Sequence, residues 1–393
     1  MKRFFHYLVE GFLRISGSVT SLVIILIILF LFKEAFGLFN EPIVQKGYLL
    51  VVNKDNPISR LKPEQIKSIF DQDITSWNEV GDYNSPIHAV RFSALIKGVE
   101  AEDLEKDPNL VAARIDSVLA IKGTILYVPQ KYLPPDNLGK ILNEGTITPA
   151  DFFGSKEWYP TATPTPIFGL IPLLLGTLMV SIGAIVIALP LGIAVAIFMA
   201  EIASVKLRNI VKPVIELLAG IPSVVYGFFG LVVLVPLIQT VFNLPVGETA
   251  LAGSIILAIM ALPTIITVAE DAIRNTPMAM KEASLALGAT HWQTIYKVVL
   301  PYAKSGIASA AILGIGRAIG ETMAVLMVTG NAAIIPTTFF EPVRTIPATI
   351  AAELGEAPKG GAHYEALFML GVVLFFITLL LSLYVEYIVN RKK

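Results

Sequence analysis

The sequence predicts a mainly helical integral membrane protein of six spans, with a smaller α/β domain inserted between spans 1 and 2. Three observations predict it. Hydrophobic residues fill 54% of the 393 positions and charged residues only 16%, well below the roughly 25% charge of an ordinary soluble domain. Apolar runs long enough to cross a bilayer recur along the chain. The charge is also concentrated: Glu41 to Pro166 holds 17 acidic and 13 basic residues, while the much longer remainder holds 14 and 17.

The insert therefore carries net −4 and the remainder +3. Neither balance resembles the strongly basic patch of a nucleic-acid-binding surface, so no nucleic-acid partner is expected. The absence of cysteine excludes disulfides, thiol catalysis and Cys-ligated metal. The four histidines, His6, His88, His291 and His363, are scattered, and no metal site is expected.

At the start of the chain, Lys2, Arg3 and Arg14 precede the apolar run Val19 to Phe32, which continues past Lys33 and Glu34 to Phe39. The polar lead is long for a signal peptide and no small-x-small cleavage site follows, so an uncleaved first span is expected. Five further spans are expected at about Phe168 to Ala200, Val211 to Phe242, Ala250 to Ala269, Ser305 to Gly330 and Ala366 to Val389. This divides the chain into residues 1–40 (N-terminus and first span), 41–166 (insert and linker) and 167–393 (membrane core).

Orientation follows from Lys and Arg, which concentrate in cytoplasmic connections. One set of connections holds Lys2, Arg3 and Arg14, then Lys206, Arg208 and Lys212, then Arg274, Lys281, Lys297 and Lys304, and finally Arg391, Lys392 and Lys393. The other set is poor: Asn243 to Thr249 has none, and Asn331 to Glu365 only Arg344 and Lys359. Both termini are expected in the cytoplasm and residues 41–166 on the other side of the membrane.

Within the insert, Tyr48 to Val52, Ile87 to Phe92 and Thr124 to Val128 are β-branched or aromatic runs that suit strands. Pro63, Pro108 and Pro135 are each expected to open a helix, running through Phe70, Leu119 and Asn143, because proline suits the first helical turn. The Pro/Thr-rich stretch Pro160 to Pro166 reads as a stiff linker.

The membrane core has two kinds of polar feature. Pro190, Gly192, Gly220, Pro222, Gly227 and Pro263 lie within expected spans, where such breakers mark flexing, close packing or a cavity that satisfies freed backbone groups. Arg317 and Glu321 are ionisable residues at membrane depth, where charge usually faces a pathway or bundle interior. Their spacing of four places them on one helical face, able to neutralise each other. The alternatives are a packed ion pair between spans, or an anion pathway in which Arg317 attracts, Glu321 limits the hold and Thr322 adds a hydroxyl. Glu216, Ser223 and Tyr226 are further, weaker pathway candidates in the expected third span, with a place near the cytoplasmic surface the alternative for Glu216.

Lys281 to Pro301, KEASLALGATHWQTIYKVVLP, is the long polar pattern between spans. Its Glu282-Ala283-Ser284, Gly288 and Val298-x-Leu300-Pro301 resemble the EAA loop of ABC-transporter permeases, with Ser for the second Ala and Val for Ile. Ala283, Ala286 and Leu287 offer a face that a partner can approach, Gly288 is expected to end the helix, and Pro301 to restart the chain as the next span. Glu216 to Gly227 (ELLAGIPSVVYG) and Gly316 to Val325 (GRAIGETMAV) extend the resemblance to the phosphate-specific permease family of PstC type, over about Phe152 to Tyr387 plus the first span.

That resemblance implies a six-span type I ABC-importer fold and transport of phosphate. It further implies a heterodimer with a PstA-like permease, two PstB-like ATPase subunits, a PstS-like phosphate-binding protein outside and lipid around the spans. ATP and Mg are expected on the ATPase subunits and no cofactor on this chain, which is expected to be non-catalytic. No G-x-x-x-x-G-K-[ST] occurs, and Gly139-Lys140 is followed by Ile141. Another oxyanion, such as sulfate or molybdate, and a non-transporting receptor that senses through its outer domain remain alternatives.

The insert departs from that family. Val51 to Gly81 (VVNKDNPISRLKPEQIKSIFDQDITSWNEVG) and Gly123 to Val128 resemble parts of periplasmic phosphate-binding proteins, yet Arg91 is followed by Phe92-Ser93-Ala94 rather than their anion-clamping Ser-Gly-Thr. The likeness implies a scaffold that docks a partner or props the transporter's mouth. Arg91 and Ser93 are the candidate contacts should it bind anion itself.

Overall fold

The computed structural model of the chain describes residues 2–99, 108–142 and 145–390. Six helices among them are long and apolar enough to cross a membrane: Glu10–Asn40, Leu170–Ile202, Ser223–Phe242, Ala250–Arg274, His291–Gly320 and Ala362–Tyr384. They are numbered spans 1 to 6 below. The chain divides into two compact units, Met1–Ile171 with Ala357–Met369, and Pro172–Glu356 with Leu370–Lys393. The first join falls a few residues beyond the expected boundary at 166, and the opening of span 6 belongs with the first unit rather than with the membrane core.

In the first unit, four strands form a sheet of order β2-β3-β1-β4: β1 (Tyr48–Asn53), β2 (His88–Arg91), β3 (Thr124–Pro129) and β4 (Gly139–Leu142). β1 runs antiparallel to β3 and β4, and β2 parallel to β3. Val51, Ile115, Leu119, Leu126 and Val128 are buried in one cluster on this sheet. Trp77 is also buried and donates its Nε1–H to the Gly123 carbonyl at 2.8 Å, so its indole has the polar partner that burial demands.

The expected helix at Pro63–Phe70 forms over those residues, and Ala112–Leu119 forms behind a tighter turn at Pro108–Val111. The expected helix from Pro135 through Asn143 does not form. Asn137 accepts from the Gly139 amide and its own amide nitrogens donate to Pro134, through both backbone and side chain. This closes a side-chain-stabilised turn. Residues 139–142 then pair with β1, and Asn143 lies outside the described residues.

In the second unit, span 4 is the central helix: Ile256, Met260, Ala261, Ile265 and Ala269 are all buried. Pro190 and Pro263 lie inside helices that continue past them. The break falls elsewhere. The expected span Val211 to Phe242 is two elements, an amphipathic helix Val205–Ala219 and span 3 from Ser223. Pro222, with extended backbone (φ −59°, ψ 141°), has no N–H to continue the ladder.

The fifth span begins and ends earlier than expected. His291–Thr294 runs through a π-helical turn, Ile295–Val299, into Leu300–Gly320, so Pro301 does not restart the chain. The wider turn accommodates the proline ring against the preceding carbonyls. At the far end the helix stops at Gly320, and Met323–Val328 is a separate short helix.

Candidate functional site

Arg317 lies in the last turn of the Leu300–Gly320 helix and is half-buried. Its Nη1 donates to Thr264 Oγ1 on span 4 at 3.4 Å. The expected pairing with Glu321 is not formed. A spacing of four brings side chains together only in a continuous helix, and Glu321 is extended (φ −73°, ψ 133°) beyond the helix end. Its Oε1 instead accepts from the Ala324 amide at 3.4 Å, at the start of Met323–Val328. Each charge is thus offset by the helix end it adjoins: a cation beside C-terminal carbonyls, an anion beside N-terminal amides.

Thr322 donates to the Gly320 carbonyl at 3.3 Å, turning the backbone between the two helices. Tyr226 is buried at the opening of span 3 and donates its hydroxyl to Leu218 O at 2.8 Å, across the Gly220–Pro222 break. Ser223 opens span 3 and is half-buried. Glu216 is exposed on the amphipathic Val205–Ala219 helix, outside the spans, which corrects its expected place in the third span. Tyr226, Ala324 and Val328 share one apolar cluster, so the two interrupted helices pack on each other.

This packing depends on Gly227. A Cβ there would meet Met327 Sδ at 2.7 Å and Ala324 Cα at 3.0 Å. Thr264, which the sequence reading missed, follows Pro263 in span 4. The only signal available was a hydroxyl beside an intrahelical proline.

The Lys281–Pro301 segment begins within a separate helix, Met278–Ala286, with no buried residue. It ends in a Schellman motif. The Ala289 amide donates to Ser284 O and the Gly288 amide to Leu285 O, with Gly288 at φ +84°, where a side chain is disfavoured. Glu282, Ala283 and Ala286 are exposed, and Leu287 is 90% exposed. Leu300 packs partly buried among Ala269, Ile273 and Val299, while Pro301 is exposed.

Two carboxylates that the sequence reading passed over sit nearby. Glu201, at the end of span 2, accepts from Lys281 Nζ at 2.6 Å. Glu270, 1% exposed near the end of span 4, lies 3.4 to 3.9 Å from Arg208, Lys212 and Arg274. Arg208, Lys212, Arg274 and Lys281, four of the basic residues used to assign orientation, thus gather around these two carboxylates. The signal for both carboxylates was an acid closing an apolar run.

In the insert, Arg91 is already engaged. Its Nη1 donates to Thr163 O and Oγ1, each at 3.2 Å, and its guanidinium lies 5.0 Å from the centre of the Phe70 ring. Ser93 is exposed on the short Phe92–Leu95 helix. Lys140 donates to Ser59 Oγ at 2.7 Å and to the Asn56 and Ile58 carbonyls, which fixes it to the insert's own loop. Among the described residues no cluster of His, Asp and Glu is placed to hold a metal ion.

Residues 30–94 match the PBP superfamily domain. The Val51–Gly81 run falls inside that match. Residues 188–393 match the family described as binding-protein-dependent transport system inner membrane component. Similar proteins include the probable ABC transporter permease protein YqgH of Bacillus subtilis (strain 168), 42% identical over 247 residues, covering 63% of this chain and 80% of that protein. The phosphate transport system permease protein PstC of Mesorhizobium japonicum is 40% identical over 259 residues, covering 61% and 78%. The protein of the same name from Pasteurella multocida is 39% identical over 246 residues, covering 58% and 75%. With six candidate spans and more than half its length inside one family match, this chain is a multi-pass membrane protein that belongs to the binding-protein-dependent transport system inner membrane component family.

Proposed function

We propose that this chain is the permease subunit of an ABC importer for inorganic phosphate. The observation that carries the reading is Arg317: a half-buried guanidinium at a helix break, whose hydrogen-bond partner is the neutral Thr264 hydroxyl. A cation held this way keeps donors for an anion, and a planar fork suits a tetrahedral oxyanion. Relatives named as phosphate transport permeases, at 40% and 39% identity, supply the choice of phosphate. Glu321 and Thr322 line the same break, with Glu321 limiting how tightly the anion is held, and Ser223 and Tyr226 line the second break at Gly220–Pro222, whose helix packs on Met323–Val328. Glu216, on the Val205–Ala219 helix of the cytoplasmic connection, lies toward the exit of the pathway.

In this reading the termini are cytoplasmic and residues 41–166 extracytoplasmic. A PstA-like permease completes the pathway, two PstB-like ATPase subunits bind ATP and Mg, and a PstS-like protein delivers phosphate. The chain itself is non-catalytic. Glu282, Ala283 and Gly288 form the surface the ATPase presses, Ser284 ties that helix to Thr294 at the base of span 5, and Leu300 and Pro301 lie within the span it moves. Alternating access follows as the spans reorient. The insert serves as a scaffold or dock, a role that fits the engagement of Arg91 by Thr163 and Phe70.

Deleting the chain tests the reading. High-affinity phosphate uptake should be lost and sulfate uptake kept; retained phosphate uptake with reduced sulfate uptake would overturn it.

A further inference from the structure

The Met278–Ala286 helix buries none of its residues, so apolar packing does not hold it in place. Two side-chain contacts do. Lys281 Nζ meets Glu201 Oε1 at 2.6 Å, and both side chains are largely withdrawn from solvent, 15% and 7% exposed. Three residues on, almost one turn along the same helix, Ser284 Oγ lies 3.0 Å from Thr294 Oγ1, which is buried at the base of span 5. The helix is therefore fastened to span 2 at one point and to span 5 at another.

The Glu201 end is itself braced. Glu201 belongs to the π-helical turn Phe198–Ile202 that closes span 2. The last carbonyls of that span, Met199 O and Ala200 O, accept from Arg208 Nε at 2.8 Å and from Nη2 at 3.2 Å. Arg208 also lies 3.9 Å from Glu270 at the end of span 4. A force on the Met278–Ala286 helix thus meets span 2 through one ion pair, and span 2 is tied onward to span 4. A π turn is a local widening that admits a register change, so the segment that receives the force is also one able to yield.

We infer that Lys281 and Glu201 are positioning residues that carry movement of the Met278–Ala286 helix into span 2, while Ser284 and Thr294 carry it into span 5. The inference rests on the proposed coupling role of that helix and adds how the input divides. A withdrawn ion pair suits this work, because either charge left alone is unfavourable and the pair therefore moves as one body. Neither residue touches the transported anion; they act through the spans they join.

The test uses the complete transporter with its partner subunits, reconstituted in vesicles, and reads radiolabelled phosphate uptake together with ATP hydrolysis. Glu201→Gln and Lys281→Met should each still co-purify with the ATPase subunit and hydrolyse ATP. Phosphate moved per ATP should fall about tenfold, the scale of one lost charge-assisted contact. Lys281→Arg should keep most of the ratio, and the charge-swapped pair Lys281→Glu with Glu201→Lys should recover most of it.

An unchanged ratio in both single variants would overturn the inference. So would a parallel fall of hydrolysis and uptake at constant ratio, which marks a merely structural pair, or a swapped pair that recovers nothing. Should a single variant fail to insert, the swapped pair decides: recovery of insertion and ratio supports the inference, and no recovery overturns it. An unvaried transporter that moves no phosphate contradicts the functional reading instead, and the two failures are distinct.

Discussion

Arg317 Nη1 stands 3.4 Å from Thr264 Oγ1, joining spans 5 and 4 through a charged donor and a neutral acceptor. No carboxylate lies within ion-pair distance of Arg317 among the described residues, although Glu321 is four positions away. Arg317→Ala should lower phosphate uptake by about tenfold or more, the value of a hydrogen bond to a charged group. Membrane insertion and ATPase binding should persist. Arg317→Lys should recover only part, since it restores the charge without the fork. Uptake by Arg317→Ala at the unvaried rate would return the residue to stabilising a helix end.

Arg91 leads to the opposite expectation. Its guanidinium is spent on Thr163 and the Phe70 ring, so Arg91→Ala should loosen the insert by about 1–2 kcal/mol and leave the KM for phosphate unchanged. Thermal unfolding of the full chain and uptake kinetics measure the two effects separately. A large rise in KM would identify the insert as an anion site.

These contrasts show what the residue pattern reveals and what it hides. Pro63–Phe70 was legible because proline marks a first turn and Ile66, Ile69 and Phe70 fall on one buried face. Val211 to Phe242 was not, because apolarity runs unbroken through Gly220-Ile221-Pro222 while the backbone does not. The same blindness produced the Arg317–Glu321 pair: the spacing holds only if the helix continues, and it ends at Gly320. Lys281 and Glu201, 80 positions apart, share no pattern that spacing can show. Only the acid at the end of an apolar run hinted at a partner. Pro135 misled because proline opens turns as readily as helices.

Gly227 tests the packing of the two interrupted helices. Met327 can swing aside from a new side chain, but Ala324 Cα, 3.0 Å from the Cβ position, is backbone and cannot. Gly227→Leu should therefore destabilise the membrane core by roughly 1–3 kcal/mol, seen as a lower unfolding midpoint in detergent. Gly220→Ala is the control. The nearest neighbour of its Cβ is Leu217 O at 3.4 Å, and its φ of −83° suits any residue. Equal effects of the two substitutions would contradict the close approach at Gly227.

Glu282 separates what this chain needs for itself from what it offers to a partner. It is exposed and joins no ion pair among the described residues, while its neighbours Lys281 and Ser284 hold the helix to the spans. Glu282→Lys should change the chain's own stability by no more than about 0.5 kcal/mol, as exposed substitutions generally do, and the protein should insert normally. ATP-driven uptake should nevertheless be abolished, because the reversed charge meets the ATPase surface. Gly288→Ala should act differently, through strain of about 1 kcal/mol at its φ of +84°, fraying the helix end and lowering uptake only in part. Normal uptake by Glu282→Lys in membranes would remove this helix as the point where force enters, whatever the substrate proves to be.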